Sequence, residues 1–148
     1  MTTLSRHAIV GYTPAQMYRL VNDIDLYPQF LPWCRDSQIL DQNEVEIIAS
    51  ISIAKGPLQH SFTTRNVLQH NESMEMTLIN GPFKRLYGRW QFIPHDGEHG
   101  CHIKLEIDFE FSSKLIAIAL DPIFTQIASS LVDAFCQRAS QLYGHNSD

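Results

Sequence analysis

The stretch Cys101-His102-Ile103-Lys104-Leu105-Glu106-Ile107-Asp108-Phe109-Glu110-Phe111 alternates apolar and polar residues without a break. Successive side chains of a strand point to opposite faces. The period of two therefore predicts a strand that buries Cys101, Ile103, Leu105, Ile107, Phe109 and Phe111 and leaves His102, Lys104, Glu106, Asp108 and Glu110 wet. One dry face and one wet face is the signature of an antiparallel sheet. The same period runs through Val45, Ile47, Ala49, Ile51 and Ile53, through Met74, Met76 and Leu78, and through Leu86, Gly88, Trp90 and Phe92. Turn chemistry separates these runs at Asp41-Gln42-Asn43, Lys55-Gly56-Pro57, His70-Asn71, Asn80-Gly81-Pro82 and 94–100. Six consecutive strands from Ser37 onward make a meander with one apolar face to cover.

Outside the meander the period is helical. Leu4–Val10 is a short strand, and Thr13-Pro14 then caps and starts a helix whose stripe is Met17, Leu20 and Val21. The aromatic, proline-punctuated 25–33 predicts a helical turn and a loop. After Phe111, Ser112 and Ser113 can cap a second helix. Leu115, Ile116 and Ala119 begin its stripe, Asp121-Pro122 is expected to break or restart it, and Ile123, Ile127, Leu131, Phe135 and Leu142 continue to Gly144. From Asp121 to Tyr143 it would measure roughly 34 Å, the only element long enough to cover the sheet. The expected fold is α+β, a curved antiparallel sheet around a long C-terminal helix.

The 148 residues suit a single domain over 1–144, with 145–148 as a frayed tail. A net charge of -5 argues against nucleic acid as a default partner, and DNA is not expected. The first ten residues lack an apolar core of a secretory signal, and the run Leu115–Leu120 is too short to span a bilayer. Cys34, Cys101 and Cys136 are odd in number and widely spaced, which fits reduced thiols and a cytoplasmic location.

Counting strands brings the Gly-Pro turns, the aromatic segment and the start of the last helix to one end. That end is expected to form the mouth of an apolar pocket, built from Tyr27, Phe30, Trp33, Gly56, Pro57, Pro82, Phe83, Leu115, Ile116 and Ala119. The same groups can equally seal the core. Deeper in, His60, Thr64 and Asn66 share a strand face with Phe62 and Leu68, and a polar row facing inward can hydrogen-bond a ligand carbonyl or hydroxyl. Met76 and Trp90, with Phe92, Phe109 and Phe111, are core residues or cavity wall.

Other constellations carry little chemistry. His95, His99, Cys101 and His102 fit no standard metal spacing, so no metal site is expected. Asp23, Asp25 and Asp36 have no nucleophile or base near them in sequence, and no catalytic residue is assigned. Arg65, Lys84, Arg85, Arg89 and Lys104 fall on the outer sheet face. Glu106, Asp108 and Glu110 alternate beside them, so cross-strand ion pairing is favoured over an RNA-binding patch.

Four motifs, in order, resemble the coenzyme Q-binding, START-like family, whose bacterial members include the ribosome-association toxin A (RatA) group. They are Tyr27-Pro28-Gln29-Phe30-Leu31-Pro32-Trp33-Cys34, then Phe62-Thr63-Thr64-Arg65-Asn66, then Gly81-Pro82-Phe83-Lys84 with Leu86, Gly88, Trp90 and Phe92, and finally Asp108-Phe109-Glu110-Phe111. The resemblance spans 4–143. It implies a helix-grip fold, polyketide cyclase-like, with no catalytic triad, metal or required cofactor. It also implies that residues of these motifs, Leu31 among them, surround a bound ubiquinone-type isoprenoid or other apolar small molecule, in support of respiration. The alternative it implies is binding of the large ribosomal subunit, which blocks subunit joining and for which Arg65, Lys84, Arg85 and Arg89 are the candidate contacts. A peripheral membrane contact is compatible with the first activity. A cyclase-type activity is compatible with the fold.

Overall fold

The computed structural model describes residues 2–97 and 99–144; the expected frayed tail lies outside them. The element order is β1 (Thr2–Val10), α1 (Pro14–Asn22), a 3-10 helix (Ile24–Gln29), β2 (Cys34–Gln42), β3 (Glu46–Lys55), β4 (Leu58–Gln69), β5 (Ser73–Asn80), β6 (Phe83–His95), β7 (Gly100–Phe111) and α2 (Lys114–Tyr143). The seven strands form one antiparallel sheet in the order β1-β7-β6-β5-β4-β3-β2. Strands β2 to β7 are the meander, and β1 closes the far edge against β7. The helix-grip fold is thus the one the alternation demanded. The inward residues of β7 are all buried: Cys101, Ile103, Leu105, Ile107, Phe109 and Phe111.

Thr13 caps α1 through a reciprocal pair. Gln16 N donates to Thr13 Oγ1 at 3.1 Å, and Thr13 N donates to Gln16 Oε1 at 2.8 Å. The buried stripe Met17, Leu20 and Val21 is the expected one. The 3-10 helix is held down by two buried hydroxyls. Tyr27 donates to Val21 O, and Ser37 Oγ donates to Ile24 O at 2.6 Å. This fixes the aromatic segment against the end of α1 and the start of β2.

Three expectations fail: Val45 precedes β3 and is exposed, Leu142 is exposed rather than on the buried stripe of the last helix, and the proline turn of that helix behaves otherwise than expected. Asp121-Pro122 does not break the C-terminal helix: α2 runs unbroken for 30 residues, about 45 Å, with Pro122 inside it. Leu120 and Phe124 on either side are buried in the core, so packing holds the helix through the missing N–H. The Asp121 carboxylate accepts from Thr2 Oγ1 at 2.9 Å and Thr125 Oγ1 at 3.2 Å, which ties the same turn to β1.

Candidate functional site

An apolar cavity of about 80 Å³ lies between the sheet and α2. Its floor is a single register row across four strands, Asn66 to Met76 to Gly88 to Ile107. Ile127, Ala128, Leu131 and Phe135 of α2 form the roof, and Tyr27 and Trp33 of the aromatic segment close one side. Phe62 and Phe124 close the end nearest the start of α2. The polar groups in this lining include Thr64 and Asn66, both buried. Thr64 Oγ1 donates to Asn66 Oδ1 at 2.7 Å. That bond orients the amide in an apolar surrounding, where a polar atom binds strongly only to a matched partner.

Seven of the sixteen expected ligand residues border this cavity: Tyr27, Trp33, Phe62, Thr64, Asn66, Met76 and Trp90. The other nine do not. Gly56 and Pro57 are exposed on the β3–β4 hairpin. Phe83 stacks on Phe111 at 4.7 Å and meets Phe124 edge-on at 5.1 Å. Ser112 N donates to Pro82 O at 2.9 Å, so the β5–β6 turn and the start of α2 do converge, but these aromatic rings plug the end where a mouth was expected. Phe30 packs on the outer side of Phe135 and under the Arg138 guanidinium, and Leu31 is buried away from the cavity. Leu115 is 83% and Ile118 78% exposed, and neither Ile116 nor Ala119 reaches the cavity. His60 is exposed at the open end of β4, outside the polar row. The sequence reading missed Ile24, Ile51, Ile53, Leu86, Gly88, Ile107, Phe124, Ile127, Ala128, Leu131 and Phe135 as lining. Leu86, Gly88 and Ile107 lay in the alternating rows, and Ile127, Leu131 and Phe135 in the helical stripe, but they read only as core; Phe124 and Ala128 lay outside the expected stripe, which ran through Ile123 instead.

A wider open groove of about 720 Å³ lies at the opposite end, lined by Thr13, Gln69, Asn71, Ser73 and Arg89 among others. The capping box of α1 already engages the donors of that helix start, so the groove offers an anion little.

The thiols are poor nucleophiles. Burial pushes Cys34, Cys101 and Cys136 up to about 11 each, reinforced at Cys34 by Asp36 and at Cys136 by Asp133. Burial, then the Asp25 charge, also raises Asp23. Neither Asp23, Asp25 nor Asp36 borders the cavity. No group of three metal-ligating side chains occurs among the described residues. Cys101 is buried in the core, whereas His102 lies on the outer face with its Nε2 3.0 Å from His7 Nδ1.

The outer face is cross-paired. Arg65 meets Glu46 at 3.6 Å, Arg89 meets Glu75 at 3.7 Å and Lys84 meets Glu110 at 3.8 Å. Arg85 is not free either. Two of the acidic partners come from β3 and β5 rather than from β7. Such exposed pairs are worth about 0–1 kcal/mol each, so phosphate oxygens can replace the carboxylates at small cost.

The family profile described as "Polyketide cyclase / dehydrase and lipid transport" matches residues 10–136. The "Ribosome association toxin RatA" of Pseudomonas aeruginosa is 48% identical over 143 residues, covering 97% of this chain and 99% of that protein. The mitochondrial "Coenzyme Q-binding protein COQ10" of Dictyostelium discoideum is 25% identical over 141 residues, covering 92% of this chain and 68% of that protein. Among solved structures, the Zhui aromatase/cyclase of Streptomyces sp. R1128 superposes with a TM-score of 0.81 at 13% identity, over 97% of this chain and 98% of that one. At that identity the likeness concerns the fold alone.

Proposed function

We infer the function of this chain from its family: it belongs to the polyketide cyclase, dehydrase and lipid transport family, and we read it as a ribosome-association factor. The observation that carries this reading is end-to-end identity of 48% with a protein named for ribosome association. This reverses the order expected from the sequence, where the net charge, the acidic neighbours of the basic residues and the apolar residues gathered at one end placed an apolar ligand first. The cavity supports the reversal. At about 80 Å³ it is well below the roughly 300–1,000 Å³ of sites that hold a whole small molecule.

The proposed contact is the outer sheet face, through Arg65, Lys84, Arg85 and Arg89, with the large subunit as partner. Joined ribosomes would then be lowered by occupancy, without chemistry. Sucrose-gradient sedimentation tests this. The wild type should ride with the large subunit and reduce joined ribosomes. Arg65→Glu, Arg85→Glu and Arg89→Glu together should lose both effects. If the three arginines meet three phosphates, raising salt from 50 to 200 mM should weaken binding roughly 20- to 40-fold. A wild type that never leaves the top of the gradient refutes the reading. A triple variant that binds like the wild type refutes the proposed face.

A second reading, binding of the ring of a ubiquinone-type lipid in support of respiration, is favoured by two observations. Thr64 and Asn66 place a hydrogen-bonded polar pair inside an otherwise apolar cavity, and a relative of 25% identity is named for binding coenzyme Q. Native mass spectrometry of the purified protein, with lipid extraction, tests it. Absence of any extractable isoprenoid quinone counts against it.

A further inference from the structure

Gly88 is the one position on the cavity floor without a side chain, and the space above it is not empty. A Cβ built there would lie 2.5 Å from Met76 Cε, while its next neighbours, Glu106 O and an Ile107 side-chain carbon, are at 3.8 Å. Met76 pairs directly with Gly88 across β5 and β6, and on its other side directly with Asn66 of β4. Its thioether end therefore lies over the gap in the floor, next to the buried polar pair. Methionine is the side chain suited to such a place, being unbranched and able to change rotamer at low cost. The rings around it are held: Trp90 and Tyr27 both pack edge-on against Phe135.

We propose that Met76 is a movable plug that sets the size of the cavity, and that the guest admitted when it swings aside is a flat ring lying over Gly88 with one hydrogen-bonding atom turned toward Asn66. This rests on the second reading above and names the residues that select the guest. The volumes agree with it. The three side-chain heavy atoms beyond Cβ occupy roughly 70 Å³ together, so their removal takes the cavity from about 80 Å³ to about 150 Å³. An apolar cavity of about that size accepts benzene. With Met76 over the gap, a six-membered ring has no room.

The assay uses the two tryptophans of the chain, Trp33 and Trp90, both of which line the cavity. The probe is 2,3-dimethoxy-5-methyl-1,4-benzoquinone, the ubiquinone ring without its tail, read by quenching of tryptophan fluorescence. Met76→Ala should lower the half-quenching concentration at least tenfold. Gly88→Ala should raise it at least fivefold, because the added methyl meets only the far end of Met76 and drives it into the remaining space. The double variant should return toward the wild type. Saturable quenching that both single variants leave within twofold of wild type overturns the plug while leaving the ligand reading intact. If quenching saturates in none of the proteins, the ligand reading falls and benzene decides the plug alone. Benzene that raises the Tm of Met76→Ala but not of wild type upholds it, and equal shifts overturn it.

Discussion

Replacing Phe135 by alanine should cost about 4 kcal/mol. Phe135 is 1% exposed, and its ring meets those of Tyr27, Phe30 and Trp90 edge-on with centroids at 5.4, 5.3 and 5.3 Å. It is the place where the last helix, the aromatic segment and the sheet touch one another. Truncation of a buried phenylalanine costs about 3–5 kcal/mol in transfer and cavity terms. Each edge-on pair adds about 0.5–1.5 kcal/mol beyond area, which moves the figure away from the lower bound. Relaxation is limited because the site already borders a cavity, so the new void joins the old instead of being filled. For a chain of this size, about 4 kcal/mol corresponds to a fall of roughly 8–16 °C in Tm. Urea titration followed by tryptophan fluorescence and by far-UV circular dichroism gives the free energy directly. Phe135→Leu should lose much less, since it keeps most of the volume. A loss under about 1 kcal/mol for alanine with an unchanged m-value would mean that Phe135 does not bridge the three elements, and the account of how α2 is held would be wrong.

Further outcomes follow from the same geometry. Thr64→Val should cost about 1–3 kcal/mol by leaving Asn66 Oδ1 buried without its donor, and Asn66→Leu a similar amount by stranding the Thr64 hydroxyl while abolishing binding of a quinone ring, whereas the double variant Thr64→Val with Asn66→Leu, which removes donor and acceptor together, should cost much less than the two single costs added; additive costs in urea titration would deny that the pair is coupled. Pro122→Ala should raise stability by about 1–3 kcal/mol by restoring a helical N–H to an exposed site in α2, and an unchanged Tm would deny that the proline is tolerated at a cost. The native state holds the protons of Cys34, Cys101 and Cys136 more tightly than the unfolded chain, with folded values near 11 against an ordinary 9.0. Their contribution is therefore fully present below pH 9 and declines as pH rises toward 11; a urea midpoint as flat over that range as in a Cys-free variant would refute this.

The sheet was legible because parity along a strand is local. Met74 and Trp90 announce their inward faces by their neighbours, and the structure buries both. The cap of α1 was legible for the same reason, since Thr13 and Pro14 act within one turn; the reciprocal bond from Gln16 appeared only in the structure. The behaviour of Pro122 was not, because the packing of Leu120 and Phe124 overrides a local helix-breaking rule. The cavity was legible only in part. Strand counting correctly brought Pro82, Phe83 and the start of α2 to one end. Whether such a gathering opens or closes depends on how Phe83, Phe111 and Phe124 stack in three dimensions, and no spacing encodes that. Gly88 was visible as a missing side chain in an alternating row, but its consequence appears only when Met76 is seen lying over it.

The two readings of function are separable because they use alternate residues of the same strands. Arg65 lies between Thr64 and Asn66, Arg89 between Gly88 and Trp90, and Glu75 beside Met76. Neighbours one residue apart point to opposite faces, so Arg65→Glu and Arg89→Glu alter the wet face and leave the cavity as it was, while Met76→Ala and Asn66→Leu do the reverse. Ribosome co-sedimentation should respond only to the first pair and quinone quenching only to the second. If a cavity variant that keeps wild-type stability also changes co-sedimentation, the faces are coupled through the bending of the sheet. The guest would then act by setting the shape of the face offered to the ribosome, and the two activities would be two ends of one equilibrium.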